Sequence, residues 1–242
     1  MLLVKLIEPP CTERYARWCE RSGFLTYEKF LLLDFGDTMG VLESLSSYDK
    51  LLNTEYLIKI GRKGKAGVLC LVFDKVDWFH TMGLHYLKDL EFLNVHGAQT
   101  ESLYDEIIAG TYENADFEKS RYYTDEMELR VELFGQLADI IEKLDNQEYS
   151  FFGFSKKKCP WTSINADYLI NNHERFENLM LYKKSDNLAG ILFISEMSIF
   201  SSEARMNDYT VGQTQYTVLK VEKRDKVTDT VTPVFTHRNY KE

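Results

Sequence analysis

Two short strand-like runs on either side of a glycine-punctuated basic turn constrain this chain more than any other feature. Thr54-Glu-Tyr-Leu-Ile-Lys-Ile60 mixes apolar-polar alternation with β-branched residues, the pattern of a half-buried strand. Gly61-Arg-Lys-Gly-Lys-Ala-Gly67 reads as a turn, and Val68 to Phe73 as the returning strand. Together they predict a β-hairpin that carries Arg62, Lys63 and Lys65 at its tip. A phosphate-binding loop is the weaker reading, because no Ser or Thr follows Lys65 and a strand comes next where a helix is needed.

Helical periodicity takes over after the hairpin. Asp74 to Leu90 reads as a helix interrupted at Gly83, and Thr100 to Ile108 as a helix stopped by Gly110. Asn114 opens a short helix with Lys119 near its C-terminal end. Thr124 opens a longer one to about Leu144, with Leu129, Leu133, Leu137, Ile140, Ile141 and Leu144 on one face. The last third is strand-like at 148–154, 179–182, 190–194 and 215–221, with a basic turn at Ser155-Lys-Lys-Lys158 and a strand or short helix at 164–170. The expected class is α+β: an N-terminal hairpin and helices followed by a mainly antiparallel β-sheet meander. Residues 1–38, with Pro9-Pro10, a short helix from Thr12 to Arg21 and an apolar stretch from Phe30 to Phe35, read as an N-terminal extension of a domain spanning 39–242.

Composition excludes several functions. Aromatic residues make up 14% of the 242, enough area for a large core, which rules out long-range disorder. A net charge of −9 rules out a globally basic coat. The charge is uneven, however: residues 101–148 hold 14 acidic residues against 4 basic ones, so the remainder is nearly neutral. That leaves room for an electropositive groove rimmed by the hairpin tip and Lys156, Lys157 and Lys158. The four cysteines are scattered and form no C-x-x-C pair, which points to free thiols in an intracellular, cytoplasmic protein. No apolar run approaches the ~18–20 residues that span a bilayer, so no membrane is expected. Walker, dinucleotide-binding, H-E-x-x-H and serine-elbow motifs are absent, and neither a cofactor nor a metal is expected.

Three segments carry chemistry. In Asp77-Trp-Phe-His-Thr-Met-Gly-Leu-His85 the two histidines are five residues apart, ~140° around an ideal helix, so they do not share a face unless Gly83 breaks it. One of them acting as acid or base fits better than a two-histidine metal site, with a hydrogen-bonded core histidine as the alternative. Glu118-Lys-Ser-Arg-Tyr-Tyr123 brings two bases and two tyrosines together, and Tyr209-Thr-Val-Gly-Gln-Thr-Gln-Tyr216 is a polar, aromatic loop leading into a strand, a common place for ligand contacts.

These segments, with Tyr48-Asp-Lys-Leu-Leu52, Tyr104-Asp-Glu-Ile-Ile-Ala-Gly110 and the run on to Lys220, match a known family in order and spacing. The stretch from Tyr48 to about Arg224 resembles the fourth subgroup of phage-associated nuclease-like domains, grouped with barnase, EndoU, the colicin nucleases and RelE. The resemblance implies a barnase- or RelE-like fold and a metal-independent ribonuclease of phage or mobile-element origin, working in the bacterial cytoplasm on RNA. It implies His80 as acid or base, Lys119 or Arg62 as the cation beside phosphate, and Thr210 and Tyr216 as hydroxyl donors. On the substrate side it implies Arg62, Lys63, Lys65, Tyr122 and Gln213, with His85 as a secondary candidate. Two other readings stand beside it. One is a catalytically inactive phage protein that binds and inhibits a host protein or nucleic-acid enzyme, its acidic 101–148 face suiting a basic partner. The other is a structural phage component, which no heptad or repeat supports.

Overall fold

The computed structural model describes residues 39–195 and 205–241. The helix expected at 12–21 and the apolar stretch at 30–35 lie outside the described residues. The hairpin forms where the pattern puts it, as β1 (Thr54–Arg62) and β2 (Lys65–Val72), with Arg62 directly opposite Lys65. Its turn is only Lys63-Gly64, at φ 48° and 76°, the doubly positive geometry that matches the twist of the flanking strands. The glycines at 61 and 67 therefore lie in the strands, not in the turn.

The helices follow the periodicity with two corrections. α1 (Val41–Leu51) precedes the hairpin, α2 (Trp78–Met82) ends at Gly83, and a 3-10 turn follows at Leu84–Tyr86. α3 covers Gln99–Ile108. α4 (Asn114–Glu118) is capped by Glu113 and Asp116 in a reciprocal box. Asn114 instead accepts the Leu42 N–H and donates to Glu43, tying α4 to α1. The single helix expected from 124 to 144 is two, α5 (Asp125–Gly135) and α6 (Leu137–Glu142). The first of them ends at Gly135, where a Cβ would lie 2.8 Å from both the Met39 methyl, ahead of α1, and the Ser44 hydroxyl of α1.

The remaining strands are β3 (Tyr149–Gly153), β4 (Tyr168–Asn172), β5 (Asn178–Ser185), β6 (Leu188–Ser195), β7 (Thr214–Asp225) and β8 (Val231–Thr236). They overturn the expected barnase- or RelE-like antiparallel meander. Seven strands close into a mixed barrel in the order β1-β2-β6-β5-β4-β3-β7, with β7 pairing back onto β1 and β8 flanking β7. β2 and β6 run parallel, at Cys70 opposite Leu188 and Leu71 opposite Ala189. Closure removes the open edges that β1 and β7 would otherwise present. The class remains α+β.

Alternation along the strands feeds two cores. Phe151, Ile170, Leu179 and Ile194, opposite one another across β3 to β6, join Leu45, Trp78, Phe134 and Ile141 of the helices. The next row, Phe152, Leu169, Met180 and Phe193, joins Cys159, Ala166 and Tyr209 on the other face. Register brings the basic hairpin tip to the same end as the start of β7, since Gly61 faces Thr217 and Gly153 faces both Tyr168 and Thr214.

Candidate functional site

Gly83 decides the geometry of the histidines. At φ 90° it ends α2 and restarts the chain as a 3-10 turn, so His80 and His85 meet with ring centroids 4.7 Å apart. This is the condition under which the sequence allowed them a common side. His80 is exposed, whereas His85 is mostly enclosed, 3.9 Å from the Tyr86 ring. Behind them lies Arg130 of α5, buried. It donates from Nε to the Thr81 carbonyl (2.9 Å) and from Nη2 to the His80 carbonyl (3.0 Å), with its guanidinium 4.5 Å above the Phe193 ring. A Cβ on Gly83 would come within 3.1 Å of that side chain.

The electrostatics follow from this packing. Burial, then the Arg130 charge, then His96 hold the His80 imidazole below its ordinary pKa. Burial, Arg130 and His80 together push His85 down to about 3, against a hydrogen bond with the Phe79 backbone that favours the cation. Nδ1 of His85 is buried without a hydrogen-bond partner. Both rings are therefore neutral at pH 7, and the exposed one is a free base. Arg130 was not singled out from the sequence. The signal was there: it falls on the buried stripe Met127, Arg130, Val131, Phe134, where a charged residue needs a reason.

Lys119 is the C-cap of α4, and its exposed ammonium lies 2.7 Å from Asp116. The next two residues are anchored on Asp89, which accepts from the Ser120 hydroxyl and from the Arg121 N–H (3.0 Å). Segment 119–122 is thereby tied to the chain four residues beyond His85. Arg121 stacks over Tyr122 and donates to its hydroxyl (2.7 Å).

Thr210, Gln213 and Tyr216 belong to a different place. The Thr210 hydroxyl and N–H both donate to Asp208 (2.7 Å each). Gln213 accepts from the Ser155 N–H (2.9 Å) and donates to the Ser155 carbonyl (3.1 Å), clamping the basic 155–158 turn to the entry of β7. Tyr216 lies across Gly153, where a Cβ would come within 3.1 Å of its ring. It lines a cleft of about 300 Å³ together with Lys158, Asp167, Tyr168 and Lys183. Arg62, Lys63 and Lys65 stand beside this end on the hairpin tip. The predicted residues thus fall into three groups: His80 with His85, Lys119 with Tyr122, and Thr210, Gln213 and Tyr216 near the hairpin bases. Among the described residues no hydrogen bond, ion pair or ring contact joins one group to another.

Sequence reasoning also passed over the β4–β5 turn. Ser150, Asn171, Asn178 and Ser195 form a buried polar row across β3 to β6. His173 Nε2 lies 2.7 Å from the Ser150 hydroxyl, to which Gln215 also donates (3.3 Å). On the opposite face the Tyr149 hydroxyl donates to buried Glu177, which pairs with Arg175 at 3.0 Å. His173 thus bonds Ser150 and Glu177 bonds Tyr149, neighbours on β3 whose side chains point to opposite faces.

Among the described residues no helix is long and apolar enough to cross a membrane. The family model described as phage-Barnase-EndoU-ColicinE5/D-RelE like nuclease 4 matches residues 40–234. No curated protein matches the chain, and no solved structure does.

Proposed function

The chain belongs to the phage-Barnase-EndoU-ColicinE5/D-RelE like nuclease 4 family, and from that premise we propose that it cleaves RNA by proton transfer to a side chain, without a metal. The reaction needs a base to take the ribose 2′-hydroxyl proton, so that the oxygen can attack phosphorus. It needs an acid to protonate the departing 5′-oxygen, leaving a 2′,3′-cyclic phosphate and a free 5′-hydroxyl.

One observation carries the reading: an exposed, neutral His80 ring packed against His85 in front of a buried guanidinium. Neutrality makes His80 a base at rest. Burial and the nearby Arg130 charge keep it so, and the 5′-oxygen, departing from the far side of phosphorus, takes its proton from water. His85, enclosed and neutral, positions the ring. Lys119, on the segment tied to Asp89, supplies the cation for the phosphorane when phosphate replaces Asp116 beside it, with Arg62 as the alternative. Thr210 is already bonded to Asp208, so of the two predicted hydroxyls Tyr216 is the better placed to meet substrate, from the binding side.

The test is cleavage of labelled single-stranded RNA in excess chelator, with a 2′-deoxy strand as the uncleavable control. His80→Ala should slow cleavage about 100-fold or more, the usual worth of a positioned acid–base group. A variant as fast as the parent removes His80 from the chemistry. No cleavage by the parent, with a stable stoichiometric host partner, favours the inactive inhibitor instead.

A further inference from the structure

We propose that the cleft under Tyr216, at the hairpin-tip end of the barrel, is a nucleotide subsite that seats one unpaired base of a single strand and grips its phosphates. That the strand is RNA rests on the reading above; the recognition itself uses only base and phosphate.

The first observation is aromatic. Tyr216 and Tyr168 line the cleft, and both lean on the buried Phe151 ring, at 6.4 and 5.5 Å between centroids. Gly153 leaves the space that Tyr216 occupies. At about 300 Å³ the cleft has the volume of a single small ligand and no room for a duplex. Two tyrosine faces on strand ends give a rigid platform on which any base can stack.

The second observation is the fate of the cations. Arg62, Lys63, Lys65, Lys156, Lys157, Lys158 and Lys183 ring this end, and none has a carboxylate of the described residues within ion-pair distance. Elsewhere Lys119, Lys184, Lys223 and Arg224 are each paired with acids. Lys158 is held in place by its bond to the Gly212 carbonyl (2.6 Å), on the turn that Gln213 clamps. Lys183 stands 5.7 Å over the Tyr168 ring. Cations with no carboxylate partner among the described residues, around an aromatic shelf whose one acidic residue, Asp167, accepts the Lys183 backbone N–H (2.8 Å), match a polyanion with exposed bases. The acidic 101–148 segment repels such a strand and steers it to this end.

The experiment is fluorescence anisotropy of the intact chain with a short single-stranded oligodeoxynucleotide, which cannot be cleaved through a 2′-hydroxyl. Tyr216→Ala should weaken binding about 10-fold, the loss of one base stack. Lys183→Ala, on an exposed side chain that cannot unfold the barrel, should weaken it less and lower the dependence of log K on log salt by ~0.7. The same sequence as a duplex should bind more weakly than the single strand. Lys223→Ala, whose lysine is paired with Glu142, should bind like the parent. Unchanged affinity in both Tyr216→Ala and Lys183→Ala, or equal binding of the duplex, overturns the subsite. Cleavage is read separately: loss of binding in these variants without any parental ribonuclease activity keeps the subsite and discards the proposed function, and the converse result does the reverse.

Discussion

The histidine pair and the barrel end treat positive charge in opposite ways. At the histidines the cation is enclosed: Arg130 is buried, spends hydrogen bonds on the His80 and Thr81 carbonyls, and adds to the burial of the two imidazoles in keeping them neutral. At the barrel end the cations are exposed and, among the described residues, have no carboxylate within ion-pair distance, around an aromatic cleft. An enclosed charge tunes the proton affinity of its neighbours, because a low-dielectric surrounding screens it little. Exposed charges hold a polyanion but shift no pKa far. The first arrangement suits moving a proton and is coupled to folding; the second suits affinity and can be altered with the fold intact.

Several variants would break or sharpen that contrast. Arg130→Ala should cost about 3 kcal/mol, because it removes charged hydrogen bonds from buried carbonyls. Lys183→Ala should leave the urea midpoint where it is, and equal midpoints for both variants would erase the distinction. Next comes pH. Unfolded His85 takes its proton near 6.5, whereas folded His85 does so only at about 3. Between those values the unfolded chain binds the extra proton, so stability is fully present above about 6.5 and is lost as pH falls. The slope from this ring approaches about 1.4 kcal/mol per pH unit, and urea unfolding at successive pH values should find it flattened in His85→Phe.

A smaller effect compares two glycines with positive φ. Gly83→Ala meets both the left-handed backbone and the Arg130 side chain, and Gly64→Ala at the hairpin tip meets only the backbone, with open space around it. Each should lose about 1–2 kcal/mol for the backbone, with Gly83→Ala the worse of the two. Equal losses would mean that Arg130 simply moves aside. Smallest of all, Lys119→Ala should not move the thermal midpoint, since its pair with Asp116 is exposed, yet it should slow cleavage if the ammonium meets phosphate.

How far the sequence was legible varies with the distance over which each feature is set. The hairpin was readable because alternation and a glycine turn are local. The histidine contact was readable as a condition, since the angle between positions 80 and 85 depends on one glycine. The break at Gly135 was not, and the side chains against that glycine, Met39 and Ser44, come from a remote part of the chain. The polar loop at 209–216 reads equally as a place for ligand contacts or as a glycine-bearing connection with no duty. Two of its residues bond the protein itself, Thr210 to Asp208 and Gln213 to Ser155, and polarity alone cannot tell these duties apart.

The amino-acid pattern alone determined the β-hairpin with its basic tip, the α+β class and the uneven partition of charge, and it placed helix at 100–108 and 114–118 but not the bounds of those at 74–90 and 124–144. Tertiary structure decided the closure of the barrel, through the parallel pairing of β2 with β6 and the return of β7 to β1. It also decided which cations met a carboxylate. Periodicity specifies the face on which a side chain lies, but its neighbour there comes from a remote part of the chain, and only the packing of the whole brings the two within reach.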